Sequence, residues 1–248
     1  MRVLAVIPAR YASTRFPGKP LAEIAGRPMI QHVFERCRGA SAVDRVIVAT
    51  EDDRIVRACQ KFEAEAELTS LNHVSGTDRV AEVASRHPEF DAVLNVQGDE
   101  PGIESETIQA VAGLLSDPNV QIASAMTPFR TGESPQNSNA VKVVTDQRGN
   151  ALLFSRAAIP FYRNASPDIQ IFFRHLGIYG FRRDVLLEVT KLPSSRLELA
   201  ESLEQLRWLE AGYRIRCVQV ESHSVGIDTP KDLEQFQKIA SFKIETES

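Results

Sequence analysis

The sequence predicts an α/β fold in which a largely parallel sheet lies between layers of helices. Short apolar runs rich in β-branched residues alternate with segments whose apolar residues recur at helical spacing. Such alternation is typical of βαβ units, which build parallel sheets. The length of 248 residues is enough to bury one sizeable core, so we expect a single domain spanning residues 1–248.

In the first half of the chain, strands and helices alternate at short spacing. The predicted strands are 3–7, 45–50, 66–68, 92–96 and 121–126. The predicted helices are 28–38, 52–61, 76–86 and 104–115. Pro28 suits a first helical turn, because the backbone N–H that proline lacks would have no helical partner there. Sheets of this kind bind ligands at the carboxyl ends of their strands, so the loops at that edge are the candidate functional segments.

The pattern changes after about residue 127. Residues 128–139 are polar and rich in turn formers, and 141–145 and 151–154 read as the strands of a hairpin. Another strand is predicted at 177–181. We expect residues 128–195, approximately, to form an inserted sub-domain that carries the pocket for a second substrate and contributes to an oligomer contact.

The chain returns to the alternating pattern near its C-terminal end. A helix is predicted at 199–210, since Leu199, Leu203 and Leu206 align at helical spacing, and a strand follows at 213–220. The last helix is predicted to begin with a capping box between Thr229 and Asp232.

Composition narrows the class of protein. Hydrophobic residues make up 43% and charged residues 25%, as in ordinary globular proteins. No apolar run approaches the roughly 20 residues of a membrane span, and a pI near 5.8 argues against a general nucleic-acid binder. The three cysteines are widely spaced and lack a C-x-x-C pattern, so we expect buried thiols and a cytoplasmic protein.

The first candidate functional segment is the loop 7–21, which follows the first strand. Arg10, Arg15 and Lys19 lie in it together with Ser13, and the first 22 residues hold four cations and no acid although the net charge is −4. Arginine and lysine are the usual partners of phosphate, so the loop is predicted to bind a polyanion. The spacing matches neither G-x-x-x-x-G-K-[ST] nor G-x-G-x-x-G, and a solvated surface loop remains the alternative.

Two aspartates are candidate metal ligands. Asp99 follows Gly98 at the carboxyl end of the strand 92–96, in the same crevice as the basic loop. A carboxylate there would repel a phosphate unless a cation lay between them, and Mg²⁺ is commonly held by one or two carboxylates plus substrate phosphates. Asp228 is the predicted second ligand. The alternative for both is a structural role at a turn or a helix N-terminus.

Two further groups of polar residues are candidates for binding substrates. Ser75 and Gly76 open a helix that carries Arg79, so free N–H and hydroxyl groups there could bind a base edge or an anion. A second group would suit an acidic, hydroxyl-rich substrate, although each member alone is more often structural. Its members are Arg156, His175, Tyr179, Glu204 and Gln205. The histidines show no metal-ligand spacing.

Taken in order, these segments resemble the 3-deoxy-manno-octulosonate (Kdo) cytidylyltransferases over nearly the whole chain, from Val3 to about Phe236. The matching segments are 7–21, 73–79, 95–101, 140–144, 154–157, 174–180, 203–207 and 226–230. Phe16, Ile227 and Glu51 depart from the family pattern, and none of them is a proposed ligand. We leave Glu51 without a role.

The resemblance implies a nucleotide-diphospho-sugar transferase-like fold, a homodimer, and transfer of CMP from CTP to Kdo with release of pyrophosphate, for lipopolysaccharide biosynthesis. It implies that Mg²⁺ is held by Asp99 and Asp228. Arg10, Ser13, Arg15 and Lys19 would hold the triphosphate. Cytosine would lie near Ala9, Ser75, Gly76, Arg79 and Gln97. Kdo would lie near Arg156, His175, Tyr179, Glu204 and Gln205.

Two other functions compete with this one. A cytidylyltransferase for another sugar acid, such as an acylneuraminate or 8-amino-Kdo, would share the phosphate and metal motifs, and only the sugar-side residues favour Kdo. A non-catalytic nucleotide-binding module on the same fold would not need the sugar-side residues as well as Lys19, Asp99 and Asp228.

Overall fold

The computed structural model of the chain describes residues 1–12, 16–163, 172–224 and 226–246. The strands of the central sheet are β1 (Val3–Ala9), β4 (Arg45–Thr50), β5 (Ala66–Leu68), β6 (Ala92–Asn95), β7 (Ile122–Pro128), β8 (Lys142–Thr145), β9 (Ala151–Ser155), β10 (Phe173–Arg182) and β11 (Ile215–Gln219). A small hairpin consists of β2 (Glu23–Ile24) and β3 (Arg27–Pro28). The helices are α1 (Met29–Gly39), α2 (Asp53–Lys61), α3 (Gly76–Arg86), α4 (Ser105–Leu114), α5 (Arg183–Val189), α6 (Arg196–Glu201), α7 (Gln205–Glu210) and α8 (Pro230–Thr246), with a 3₁₀ turn at Lys19–Leu21.

The central sheet is largely parallel, as predicted. Its strands run in the order β11-β7-β10-β6-β1-β4-β5. β10 is antiparallel to both of its neighbours, β6 and β7, whereas β1 pairs in parallel with β4 and β6. Because β1 and β6 are parallel neighbours, their carboxyl ends, and the loops that follow, lie at the same edge of the sheet.

Both faces of the sheet are buried. Successive side chains of a strand point to opposite faces, so Ala5 and Ile7 of β1 join one apolar cluster while Leu4 and Val6 join the other. The first cluster includes residues of α1 and α4, and the second includes residues of α3 and α5. The helical layers on both sides explain why the strands read as continuous apolar runs.

Most predicted elements are confirmed. The strands at Arg45–Thr50 and Ala66–Leu68 and the helix at Gly76–Arg86 have the predicted bounds, and β8 and β9 form the expected antiparallel hairpin. The capping box of α8 is also confirmed, because Thr229 N donates to Asp232 Oδ2 at 2.8 Å. Pro28 differs slightly from expectation. It lies at the N-cap of α1, and the helix begins at Met29.

The prediction of one helix over 199–210 is wrong. The segment forms two short helices, α6 and α7, separated at Ser202, whose φ of 52° is left-handed and ends α6. The Glu201 carboxylate accepts from Ser155 Oγ at 2.6 Å, which ties the end of α6 to β9. Leu199 is 70% exposed, so it does not share the buried face of Leu203 and Leu206.

The predicted insertion at about 128–195 includes the β8–β9 hairpin. β8 pairs with β10, so this hairpin extends the central sheet. The division of the chain into a main domain and a sub-domain stays a prediction. Among the described residues, no helix has the length and apolar character needed to cross a membrane.

Candidate active site

The basic loop and the Gln97–Asp99 turn meet at the carboxyl edge of the sheet. β1 ends at Ala9 and its neighbour β6 ends at Asn95, so the two turns leave the sheet side by side. A side chain at Gly98 would place its Cβ 2.9 Å from the backbone oxygen of Pro8. Glycine at this position therefore lets the two backbones approach closely.

A cavity of about 430 Å³ opens between these turns, and we call it the basic cavity. Six of the predicted site residues line it: Ala9, Arg10, Lys19, Gly76, Gln97 and Asp99. The Arg10 guanidinium donates to the backbone oxygen of His73 at 3.0 Å, which joins the loop 7–21 to the turn that precedes α3. The cavity thus combines two cations with the N-terminus of a helix, a combination suited to a polyanion.

Lys19 joins the two predicted aspartates. Its Nζ lies 2.6 Å from Asp99 Oδ2 and 3.6 Å from Asp228 Oδ1, and it donates to the backbone oxygen of Ile227 at 2.9 Å. A second backbone bond, from Ile227 N to the oxygen of Asp99 at 2.9 Å, holds the two segments together. Asp99 and Ile227, which are 80 and 208 positions from Lys19 in the chain, therefore reach one ammonium group, a convergence that spacing alone could not establish.

The carboxylate pair fits a magnesium ion. Among the described residues, no group of three or more His, Cys, Asp or Glu side chains could hold a metal. Two carboxylates that share the Lys19 ammonium group, one of them lining the cationic cavity, nevertheless match the preference of Mg²⁺, which binds oxygen and usually keeps substrate phosphates and water among its ligands. Asp99 and Asp228 are the residues that would hold it.

A second cavity of about 540 Å³ adjoins Asp228. Asp228 and His175 line it, together with Glu100, Arg174 and Ser224. Since Asp99 lines the basic cavity and Asp228 the second one, the Lys19–aspartate cluster stands at the junction between the two. The structure therefore has two cavities that meet at this cluster.

Glu100 is a residue of this junction that the sequence reasoning did not select. Burial and the neighbouring Asp99 raise the pKa of Glu100 to about 7, against the lowering effect of a hydrogen bond from Ser224. Its carboxylate also occupies the space over Gly177, where a Cβ would lie 2.9 Å from Glu100 Oε1. Its position directly after Asp99 was the only sequence signal that could have identified it.

Known proteins are similar to this chain over most of its length. A family model described as cytidylyltransferase matches residues 4–215. The 3-deoxy-manno-octulosonate cytidylyltransferase of Geobacter sulfurreducens is 49% identical over 95% of this chain and 98% of its own length. The enzyme of the same name from Myxococcus xanthus is 49% identical over 96% of both chains. The chain belongs to the 3-deoxy-manno-octulosonate cytidylyltransferase family.

Solved structures agree with this assignment. A CMP:2-keto-3-deoxy-manno-octonic acid synthetase complexed with CTP superposes with a TM-score of 0.92 at 42% identity, and covers 98% of this chain and 100% of its own. A 4-diphosphocytidyl-2C-methyl-D-erythritol synthase from Anaerococcus prevotii, with a TM-score of 0.65 at 13% identity, shares the fold. The nucleotide-diphospho-sugar transferase-like architecture expected from the sequence is therefore confirmed.

In this cytidylyltransferase, Arg79 does not face the basic cavity. Its side chain is 1% exposed and forms an ion pair of 2.8 Å with Glu51 Oε2. Glu51 Oε1 also accepts from the backbone N–H of Tyr11 at 3.0 Å, so this pair fixes the start of the basic loop. Glu51, which has no predicted role, is thus the ion-pair partner of Arg79, a predicted nucleotide ligand.

Ser75 caps α3 instead of presenting a free hydroxyl. Its Oγ accepts from Asp78 N at 3.1 Å, and the Asp78 carboxylate accepts from Ser75 N at 3.0 Å. Ser13 and Arg15, the other predicted nucleotide ligands, lie outside the described residues. Their assignments, and those of Ser75 and Arg79, stay predictions.

Four of the five predicted sugar ligands do not line the second cavity. Arg156 donates to the backbone oxygens of Glu201 at 2.7 Å and Ser138 at 3.0 Å, so it holds the end of α6. Tyr179 is buried against Trp208 in an edge-to-face contact of 5.0 Å, and burial raises its pKa.

Glu204 and Gln205 lie at the start of α7. Thr77 Oγ1 donates to Glu204 Oε2 at 2.5 Å, and Gln205 is 5% exposed. These side chains pack or form hydrogen bonds within the protein, and His175 alone of the predicted group lines the second cavity. The assignment of the five residues to Kdo stays a prediction.

His175 should make stability depend on pH. Its ring lies against Phe154 and Tyr179, with centroid distances of 4.8 and 5.3 Å, and Ser124 Oγ lies 2.9 Å from its Nε2. Burial lowers the pKa of His175 from 6.5 to about 3. The folded state then binds fewer protons than the unfolded state between these values, so acidification through this window destabilises the fold, by up to about 1.4 kcal/mol per pH unit.

The measurement is urea unfolding between pH 7 and pH 4. We expect His175→Gln to lose this part of the pH dependence, because glutamine does not titrate. His223→Gln, at an exposed histidine, is the matched control and should follow the unsubstituted protein. Parallel pH curves for the two variants would show that His175 does not titrate as its surroundings require.

Proposed function

We propose that this chain transfers CMP from CTP to the anomeric 2-hydroxyl of Kdo, and that the product serves lipopolysaccharide biosynthesis. The observation that carries the proposal is the Lys19–aspartate cluster between two cavities, one of them cationic. The printed names of the relatives and the bound CTP of the solved synthetase support CTP and Kdo as the substrates.

The reaction exchanges one phosphorus–oxygen bond for another. The 2-hydroxyl oxygen bonds to the α-phosphorus, the bond to the bridging oxygen of the β-phosphate breaks, pyrophosphate leaves with that oxygen, and the hydroxyl proton is released. Reactions of this kind need positioning and charge neutralisation more than a covalent nucleophile. Arg10 and Lys19 supply fixed positive charge for the triphosphate and for the departing pyrophosphate.

Asp99 and Asp228 are the residues that would hold Mg²⁺ in this site. When bound, a magnesium ion neutralises phosphate charge and eases proton loss from a hydroxyl group, so the site needs no dedicated basic side chain. Lys19 forms ion pairs with both carboxylates and so limits their mutual repulsion before substrate binds. Burial lowers the pKa of His175, so its imidazole is neutral near pH 7. It therefore lines the second cavity as an uncharged group that can form hydrogen bonds.

Pyrophosphate release tests the proposal. Purified protein with Mg²⁺ is given CTP or UTP together with Kdo, 8-amino-Kdo, an acylneuraminate or no sugar. We expect release only with CTP, and fastest with Kdo. A faster reaction with another sugar acid would show that this acid, and not Kdo, is the substrate. Binding of CTP without release of pyrophosphate under any condition would identify a nucleotide-binding module.

We also propose that the protein is a cytoplasmic homodimer. Large apolar side chains are exposed on the predicted insertion and on the following helix: Leu152 is 64%, Phe161 87% and Leu199 70% exposed. Exposed apolar surface of this kind is typical of protein interfaces. The three cysteines are buried free thiols, which suits a reducing compartment. Sedimentation equilibrium should give twice the chain mass, and a monomer at micromolar concentration would contradict the dimer.

A further inference from the structure

A chain of hydrogen bonds that passes through the buried residues Asn95 and Thr77 connects the wall of the basic cavity to α7. Gln97 Nε2 donates to Asn95 Oδ1 at 2.9 Å, Asn95 Nδ2 donates to Thr77 Oγ1 at 3.3 Å, and Thr77 Oγ1 donates to Glu204 Oε2 at 2.5 Å. Asn95 and Thr77 are 1% and 2% exposed. Of the four residues, Gln97 is the one that lines the basic cavity.

The carboxylate at the end of this chain sets the direction of every bond in it. An ionised carboxylate only accepts, and a threonine hydroxyl has one proton to donate. Because Thr77 donates to Glu204, it can only accept from Asn95, which must then present its Nδ2 to Thr77. The remaining amide oxygen of Asn95 faces Gln97 and accepts from Nε2. The Oε1 atom of Gln97 is left over, and it lies 3.7 Å from the Cβ position of Gly76 on the wall of the cavity.

Hydroxyl groups donate to the Glu204 carboxylate, although the net effect of its surroundings is a raised pKa. Burial raises the pKa of Glu204, and hydrogen bonds from Thr77 and Ser75, together with the charge of Arg207, act in the opposite direction. The two hydroxyl donors belong to the first turn of α3 and its N-cap. Both therefore reach Glu204 from one rigid element.

We propose that Thr77 and Asn95 are positioning residues that make the basic cavity select an amino-bearing pyrimidine, by holding Gln97 with its carbonyl oxygen toward the base. The inference rests on the proposed function and specifies how that site recognises its nucleotide. Cytosine presents an N4 amino donor where a uracil-type base presents the O4 acceptor. An acceptor fixed in the cavity wall accepts a hydrogen bond from the N4 amino group of cytosine. Opposite the O4 atom of a uracil-type base, the same acceptor leaves two oxygen atoms facing each other without a proton between them.

The test is the preference for CTP over UTP in Thr77→Val. Valine has nearly the shape of threonine but no hydroxyl, so it releases Asn95, and Gln97 can then turn its amide. The CTP/UTP ratio of kcat/KM should fall by about tenfold or more, since one well-placed hydrogen bond contributes on the order of that factor. The dissociation constant of UTP divided by that of CTP, measured by calorimetry without sugar, should fall in parallel.

Two further variants make the result decisive. Glu204→Gln keeps the size of the side chain but adds an NH₂ donor, which lets the direction of the chain reverse, so it should shift binding toward UTP even if Thr77→Val folds poorly. Thr107→Val, at a buried threonine of α4, is the matched control and should retain the CTP preference.

The outcomes separate the two proposals. An unchanged CTP/UTP ratio in folded, active Thr77→Val and Glu204→Gln would overturn the assignment of Thr77 and Asn95 and leave cytidylyl transfer intact. Failure of the unsubstituted protein to bind either triphosphate would overturn the proposed function, and the base selection with it.

Discussion

Replacing Asp99 with asparagine should abolish magnesium-dependent turnover while CTP still binds. Asparagine has the shape of aspartate and can still accept from Lys19, but it removes one of the two negative charges at the junction of the cavities. Loss of a carboxylate ligand should lower the affinity for Mg²⁺ by more than about 10²-fold. Even residues that only hydrogen-bond to a metal ligand typically contribute about 10–100-fold to metal affinity. Pyrophosphate release across a range of Mg²⁺ concentrations, with CTP affinity from calorimetry, measures both effects.

The control for this variant is Asp53→Asn, at an exposed aspartate in the first turn of α2. It carries the same chemical change away from both cavities and should retain full activity. Normal turnover in Asp99→Asn at limiting Mg²⁺ would show that Asp99 does not hold the metal. Loss of CTP binding in the same variant would place Asp99 on the nucleotide itself.

Lys19→Ala should reduce kcat by about 10²–10³-fold with the fold intact. The ammonium group is a preorganised positive charge in the basic cavity, and removing one such donor typically costs this factor. Its loss also leaves the carboxylates of Asp99 and Asp228 facing each other without the cation between them. Steady-state kinetics gives the rate, and thermal unfolding reports on the fold.

Lys61→Ala, at an exposed lysine that ends α2, is the matched control and should leave kcat unchanged. An unaltered kcat in Lys19→Ala would remove Lys19 from the mechanism. A large drop in both kcat and thermal stability would instead identify Lys19 mainly as the tie between the Asp99 turn and the segment that carries Asp228.

The elements and the edge of the sheet where the site lies could be predicted because their signals are local. The run 45–50 is β-branched throughout its centre, and Ser75 with Asp78 forms a capping box in front of α3. Helical spacing failed at 199–210 because Ser202 adopts a left-handed conformation, with Glu201 tied to β9 from a distance of 46 residues. A periodic pattern contains no information about such a contact.

The sequence by itself determined the fold class, the family, and which loops meet at the carboxyl edge of the sheet. Alternating strands and helices make those loops neighbours whatever their detailed contacts. Only the tertiary structure decided which charged and polar side chains face the cavities. Arg79 and Arg156 are engaged by Glu51 and by the end of α6, whereas Lys19 remains at the cavity between two aspartates. The physical reason is that a charged side chain is held in place by the groups that neutralise it. The partners of Arg79 and Lys19 are distant in the chain, so the sequence pattern does not show them.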